Sequence, residues 1–435
     1  MRRRTGAPVR RGALARGPIV LVFAILVVDG VIGSLLYPIW PRFAEATSNP
    51  TIWLGVSYSL FALMQFLAAP VLGLWSDAHG RRPVFRLAAV GTLLAMMLAL
   101  PLRLWPFLGN RILDGTTNGL YAVSKSAVVD LSPPERIQRN VGLMGTLTYA
   151  GFILGPGVAA LVLWLAGAVG WSGPRALVGA GLLFAVVNLV LSFRLPETRR
   201  PGTGLPGTGT AGTGRAAFGW RRALAEISPP ALLRRARRLR AEQPAAARLI
   251  AVQALLYVAL GYYTYFFTYV SQGPLRMDER AISLVFAYFS VIGIVANTVF
   301  FARVGRVRRP DRALALALLS GVVVMGLYAV VGASVVGLYL VLLVDVVTIS
   351  LAPGLLEGLI GKSTEETRRG EVFGLGQGVS ALMTVFSAVF ATLLAGVDVR
   401  LPFALFAAAL LAAAVVARPR SEPQVNAGLH RVDAG

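Results

Sequence analysis

Twelve runs of about 20 mostly apolar residues follow one another along this chain, near 18–40, 52–74, 84–102, 104–128, 141–165, 176–195, 248–270, 281–302, 312–331, 334–359, 371–395 and 401–417. A helix rising ~1.5 Å per residue needs about 20 such residues to cross ~30 Å of hydrocarbon. Backbone polar groups in lipid have no water to bond, so each run is expected to satisfy its own groups as a helix. The expected fold class is therefore an all-α membrane protein with twelve transmembrane helices. Composition agrees, since 56% of the 435 residues are hydrophobic and 14% are charged, against about 25% charged in soluble domains.

A net charge of +22 would point to nucleic acid in a soluble protein. The placement of the charge argues otherwise. With both termini on one side, that side carries 34 Lys and Arg, and the opposite side carries six: Arg42, Arg103, Arg175, Arg276, Arg280 and Arg400. This is the positive-inside pattern, and it predicts cytoplasmic termini and a multi-pass protein of the inner membrane. Membrane lipids are expected partners and nucleic acid is not. The opening MRRRTGAPVRRGALARG resembles a signal peptide or twin-arginine signal, yet the span after it is long and lacks a clear small-residue cleavage site. An uncleaved first helix is expected. With no Cys, and His79 and His430 as the only histidines, no disulfide, metal site, cofactor or Ser-His-Asp chemistry is expected.

The spans divide six and six. A basic N-terminus (1–17) leads into a first bundle (18–195), and a polar linker (196–247) precedes a second bundle (248–418) and a tail (419–435). The linker begins PETRRPGTGLPGTGTAGTG, a flexible composition. It continues ISPPALLRRARRLRAEQ, where Leu232, Leu233, Ala236 and Leu239 alternate with arginines at helical spacing. Two readings fit that stretch: an amphipathic helix on an anionic leaflet, or a solvated basic loop. RRP at 81–83, after span two, recurs at 308–310, after span eight. The layout predicts two pseudo-symmetric six-helix bundles with a path between them.

The loop after span two reads GLWSDAHGRRP, from Gly73 to Pro83. Gly73 allows close helix approach and Gly80 a tight turn, while Asp77 can cap a helix and Arg81 can pair with an acid. This loop resembles the signature of the major facilitator superfamily, with Ala78 in place of the usual arginine. Its counterpart FARVGRVRRP has no aspartate. In span one, DGVIGSLLYP sets Asp29 nine residues before Pro38, as in tetracycline-type and multidrug drug:proton antiporters. Arg111 and Gly115 in span four resemble that family's Arg-x-x-x-Gly motif. Gly151, Gly155, Pro156 and Gly157 in GFILGPG resemble its antiporter motif. Asp130 and Glu135 resemble the acidic partners of the signature loop, which with Gly73, Asp77, Gly80 and Arg81 would form a conformational latch.

Charges inside a membrane are costly and point to function. Asp29, at the middle of span one, is a candidate proton carrier, the alternative being a permanent pair with Arg111. Asp345 in VLLVDVVTIS is a weaker candidate, with local helix bonding as its alternative. In span four, Arg111, Asp114, Asn118, Tyr121 and Lys125 fall within 80° of one another on a helical wheel, over about 21 Å. That face lines the cavity between the bundles or forms one buried network. Lys125 could also reach the cytoplasmic surface. Tyr58 and Gln65 on span two, Gln253, Tyr257 and Thr264 on span seven, Asn297 on span eight, and Gln377 and Thr384 on span eleven add polar stripes that suit an amphipathic cavity.

The resemblance implies a monomeric exporter of a small amphipathic organic molecule, driven by the proton gradient through alternating access. Asp29, Arg111 and Asp114 would couple the proton. The same fold also supports uptake by symport. A receptor or enzyme has the least support, because no nucleophile or metal site is apparent. The substrate's charge stays open, since acids favour a cation while Lys125 and Arg111 favour an anion.

Overall fold

The computed structural model describes residues 16–133, 136–199, 229–303, 309–332, 334–364 and 369–418, with no strand among them. Before the linker come α1 (Arg16–Leu35), a short 3-10 turn (Tyr37–Ile39), α2 (Trp40–Ala44), α3 (Pro50–His79) and α4 (Arg82–Ala99). They are followed by α5 (Leu104–Thr117), α6 (Leu120–Leu131), α7 (Ile137–Ala168) and α8 (Gly173–Arg194). After the linker come α9 (Pro229–Glu242), α10 (Pro244–Leu260), α11 (Tyr262–Gln272) and α12 (Glu279–Arg303). The chain then forms α13 (Pro310–Val330), α14 (Val335–Lys362), α15 (Arg369–Ala395) and α16 (Leu401–Ala417).

Among the described residues eight helices are long and apolar enough to cross a membrane, and three shorter apolar ones, Pro244–Leu260, Arg280–Ala296 and Leu401–Ala417, stand where spans seven, eight and twelve were expected. Span four is the exception. Its helix breaks at Asn118, whose ψ is 63°, and restarts at Leu120 as α6. The expected continuous 80° face therefore ends at Asn118, and Tyr121 and Lys125 belong to a second helix. Span seven is interrupted as well, at Gly261, whose N–H donates to the Ala259 carbonyl instead of continuing the α-helical ladder.

Trp105, Trp164 and Trp171 are exposed at the end of the molecule away from the linker, where amphipathic rings suit a membrane–water boundary. Among the linker residues described, Pro229–Glu242 is helical: α9 buries Leu239 in the second bundle's core and leaves Leu233 exposed. The bundles meet where α12 packs on α7, α15 on α3, and α11 on α2 and α3.

The GFILGPG run has a steric explanation. A Cβ on Gly30 of α1 would lie 3.0 Å from Gly151 Cα, and one on Gly151 would lie 2.5 Å from the Val27 carbonyl oxygen. Gly155 likewise faces the Val31 carbonyl, at 2.7 Å from a would-be Cβ. The two backbones thus touch without side chains between them, as small residues permit. Gly157 is open by comparison, its nearest neighbour being Ser290 Cβ at 4.0 Å.

The first bundle's apolar core is divided. Ile32, Leu35, Met96, Phe107, Leu177 and Ala185 belong to a cluster at the end away from the linker. Val22, Ile25, Phe85, Ala88, Leu120 and Leu195 belong to a second cluster at the linker end. Along the chain a polar residue stands between the two sets: Asp29 on α1, Thr92 on α4, Asp114 between Phe107 and Leu120, and Asn188 between Ala185 and Leu195. The second bundle has a single apolar cluster spanning Leu239 to Ala417.

The contrast between Gly151 and Gly157 is testable by thermal unfolding of the purified protein. Gly151→Ala is expected to lower stability by about 1–3 kcal/mol through overpacking against backbone. Gly157→Ala is expected to be neutral or slightly stabilising, because Ala is the better helix former.

Candidate functional site

The polar layer between the two clusters is the candidate site. Asn188 Nδ2 approaches Asp29 Oδ1 at 3.5 Å, and the Asn118 side chain also hydrogen-bonds Asp29, with Asp114 in electrostatic reach. Thr92 Oγ1 donates to Asp114 Oδ1 at 3.2 Å. Asp114 and Arg111 are both buried, each 6% exposed. Of the two readings of this face, the structure has Arg111 and Asp114 in a buried network and not on an open cavity wall.

Arg111 is held by neutral groups. Its Nε donates to Asn110 Oδ1 at 2.6 Å, and Asn110 Nδ2 in turn donates to the Ala95 carbonyl at 2.7 Å. The guanidinium carbon lies 5.5, 5.4 and 5.2 Å from the ring centroids of Trp40, Phe61 and Phe107, an aromatic cage that stabilises cations. Its charged neighbour is Asp114 and not Asp29. The proposed permanent Asp29–Arg111 pair is thus absent among the described ion pairs. Gly115 has its own role, since a Cβ there would meet Met64 and the Phe61 carbonyl of α3 at 2.7 Å.

The break in span four lies in this layer. Asn118 N donates to the Asp114 carbonyl at 2.8 Å, closing α5, and Gln65 Nε2 of α3 caps the Asn118 carbonyl at 3.3 Å. A carbonyl released inside a membrane needs such a partner. Interrupted helices that satisfy their backbone this way mark binding sites in transporters.

Beyond the break, α6 leads to two further groups. Lys125 Nζ lies 4.2 Å from the ring centroid of Phe373 on α15, and it is electrostatically coupled to Glu357 on α14. Tyr121 faces Glu357 and Tyr257. Lys125 is therefore turned toward the other bundle. Farther along α6, Asp130 Oδ2 accepts from Arg81 Nε at 3.3 Å, and Arg81 Nη1 donates to Ser76 Oγ at 2.9 Å.

Glu197 completes that loop from the other side. Its Oε1 accepts from the N–H of Arg81 at 2.9 Å and its Oε2 from the N–H of Arg82 at 3.2 Å, so a carboxylate caps the positive end of α4. Gly80 has φ +98°, and a Cβ there would collide with the same carboxylate. Capping by an acid was expected of Asp77. Its side chain, Glu135 and the side chains of Thr264 and Asn297 lie outside the described residues.

Other expected cavity residues disperse. Asp345 is fully buried within the second bundle, where the Tyr262 and Tyr328 hydroxyls both donate to its Oδ2 at 2.7 Å. The expectation that it lines the path between bundles is corrected: two tyrosine donors hold the carboxylate inside its own bundle. Gln253 is buried beside Gly376, Gln377 is exposed, Thr384 bonds the Ser380 carbonyl at 3.0 Å on its own helix, and Tyr58 packs edge-on against Trp40. Asn188, Thr92, Asn110, Glu197 and Glu357 were not singled out from the sequence. A lone Asn in VVNLVL and an acid in LLEGL were the available signals. Among the described residues no three His, Asp or Glu converge to hold a metal ion.

The Major Facilitator Superfamily family model matches residues 22–388. The chain belongs to the major facilitator superfamily. It is 32% identical to the class H tetracycline resistance protein of Pasteurella multocida over 149 residues, which are 33% of this chain and 37% of that protein. It is 31% identical to major facilitator superfamily domain-containing protein 10 of Bos taurus over 235 residues, 52% of this chain and 46% of that one. The chain thus spans between a third and a half of the length of these curated relatives. Among solved structures, the human organic anion transporter MFSD10 (TETRAN) superposes with a TM-score of 0.68 at 22% identity, covering 95% of this chain and 100% of that one. A D-xylose-proton symporter gives 0.66 at 14% identity, covering 92% and 97%. The protein is a multi-pass membrane protein of this fold.

The Glu197 cap yields a pH-dependent expectation. Burial pushes its carboxyl up, but backbone donors from Arg199, Arg81, Arg82 and Thr198 outweigh that and hold it below its ordinary value. The charged form is favoured in the fold, so its stabilisation is complete above the unfolded value and lost as pH falls through the lowered one. Glu197→Gln is expected to cost about 0.3–1 kcal/mol at neutral pH. The difference from wild type should shrink as pH falls below about 4. Thermal unfolding in detergent across that range checks it, and a pH-independent difference would contradict the assignment.

Proposed function

We propose that this protein exports a small amphipathic organic compound in exchange for protons, from an inner membrane with both termini in the cytoplasm. The observation that carries the reading is Asp29, bonded to the residue at which span four breaks. Asp29 and Asp114 lie in mutual electrostatic reach inside an apolar bundle, where two negative charges together are strongly disfavoured. Arg111 sits by Asp114 and offsets its charge, leaving Asp29 as the group that gains or loses a proton. Similarity to tetracycline resistance proteins supports export, and GFILGPG supports it further by resemblance to antiporters.

The break gives protonation a mechanical consequence. Asn118 bonds Asp29 and is also the joint before α6. The α6 helix carries Lys125 toward the second bundle and Asp130 toward Arg81. A change at Asp29 alters the bond to Asn118, and the tilt of α6 then acts on both the contact between bundles and the loop at Arg81. Alternating access follows if these two contacts hold in one state and part in the other. A proton entering down a membrane potential contributes roughly 2.3 kcal/mol per 100 mV. Each pH unit adds about 1.36 kcal/mol, enough together for a hundredfold substrate gradient.

A second reading concerns the substrate's charge. Lys125, a cation on the face toward the other bundle, favours an organic anion, in keeping with the solved relative named as an organic anion transporter. Tetracycline and carboxyfluorescein, a zwitterionic and an anionic probe, separate the two cases.

In everted vesicles with an imposed pH gradient, wild type is expected to accumulate one of these probes. Asp29→Asn should keep its thermal midpoint and lose at least tenfold of the gradient-driven rate. Wild-type uptake by Asp29→Asn would exclude Asp29 as the proton carrier, and probe movement with the opposite proton direction would favour symport.

A further inference from the structure

Asp345 stands apart from the polar layer of the first bundle, and its surroundings are unusual for a carboxylate. It has no exposed surface. The space at its side is enclosed by Tyr262, Tyr263, Phe266, Phe286, Phe289 and Tyr328, together with apolar Val285 and Leu342. That space is too narrow for a water molecule. The titratable groups facing Asp345 are Tyr262 and Tyr263 from α11 and Tyr328 from α13, while α12 contributes only apolar and aromatic side chains. No Lys or Arg is among these neighbours.

The hydrogen bonds are lopsided. Both tyrosine hydroxyls donate to Oδ2 at 2.7 Å, whereas Oδ1 is buried with no partner among the described residues. As a carboxylate, Asp345 would hold a full charge in a dry aromatic box with one oxygen bare and no cation nearby. As a neutral acid with its proton on Oδ1, it leaves only one hydroxyl unpaired, the cost of a single unmade hydrogen bond. An uncompensated buried charge costs several times that. A bare oxygen on an otherwise well-bonded side chain is the place for that proton.

The box is also attached to the part of span seven that lies beyond its break. Tyr262 is the first residue of α11, directly after the interruption at Gly261. Two further hydroxyls tie α11 to its bundle: Tyr269 donates to the Tyr328 carbonyl at 2.9 Å, and Tyr265 to the Val399 carbonyl. The same helix packs on α2 and α3 of the first bundle. Each bundle therefore has an acid bonded to the residue at, or immediately after, a break in one of its spans: half-buried Asp29 with Asn118, and fully buried Asp345 with Tyr262.

We propose that Asp345 is a second proton-binding site, loaded and emptied separately from Asp29, and that its proton holds α11 against the second bundle. Proton release requires water at Oδ1. Water requires space, and space opens when α11 moves away from α12 and α13. Loss of the proton and release of α11 are thus one linked equilibrium, and either one favours the other. The exporting role assigned to Asp29 is not needed for this inference.

The test uses the purified full-length protein in lipid nanodiscs without substrate. Infrared difference spectra across pH are expected to show a carboxylic acid C=O band that Asp345→Asn lacks and Asp29→Asn retains. Tyr262→Phe removes one donor to that carboxyl and should move the band to higher frequency, so the assignment does not hang on Asp345→Asn folding. Hydrogen exchange of residues 262–272 should rise at the pH where the band disappears, in wild type and Asp29→Asn alike. In Asp345→Asn that pH dependence should be absent. Identical bands in wild type and Asp345→Asn, or an unmoved band in Tyr262→Phe, would overturn the site. An unchanged pH dependence of exchange in Asp345→Asn would overturn the link to α11. Failure of Asp29→Asn to impair transport would leave these bands where they are and bear only on the function proposed above.

Discussion

The cost of placing charge in a protein interior surrounded by hydrocarbon governs how the first bundle is built. Arg111 and Asp114 are buried and Asp29 is half-buried beside them, so the chain surrounds them with neutral partners: Thr92, Asn110, Asn118, Asn188 and three aromatic rings. These groups come from five different spans and must sit at one depth to meet. That requirement divides the apolar core into two clusters, one on each side of the layer. It also explains why the Gly30–Gly151 contact is so close. Asp29 is the neighbour of Gly30 in sequence, and backbone-to-backbone packing of α1 on α7 fixes its position with no flexible side chain between them.

The spans were legible because hydrocarbon imposes both length and composition on a crossing helix. Asp29, Arg111 and the glycines of GFILGPG were legible for a different reason: an intramembrane charge or a spaced glycine run has few cheap explanations. Arg81 and Asp130 meet as their resemblance to the family's loop implied. What could not be read was which carboxylate would face which cation. The wheel treated span four as one helix and so brought Lys125 onto the Arg111 face. The break at Asn118 depends on Gln65, 53 positions away in the chain, capping a carbonyl. Glu197 is a similar case, since its partners at Arg81 and Arg82 lie 116 and 115 positions earlier. Long-range pairings of neutral or capping groups leave no local pattern.

Asp345 shows the same limit from another side. Its sequence neighbours are Val344 and Val346, and the run gives no sign of whether the carboxyl points to the other bundle or into its own. Tyr262 and Tyr328 decide that, 83 and 17 positions away. Aromatic richness in YYTYFFTY was visible, but its meaning as a wall around an acid was not.

The two bundles consequently differ in how a proton can act. In the first, the acid lies in a layer with other polar groups that tolerate rearrangement, and the break next to it leads to α6 and its contacts at Lys125 and Asp130. In the second, the acid is sealed in an otherwise continuous apolar core, and the break beside it leads to α11 and its contact with α2 and α3. The α6 contacts lie toward the linker end, because Asp130 meets the loop that Glu197 closes. The α11 contacts lie toward the opposite end, because α2 follows the far end of α1. Under the two proposals there is a closure at each end, each tied to its own acid, as alternating access requires of a two-bundle protein. The sequence pseudo-symmetry is faint because what the halves share is that physical arrangement, an acid at a helix break, and not the residues that build it.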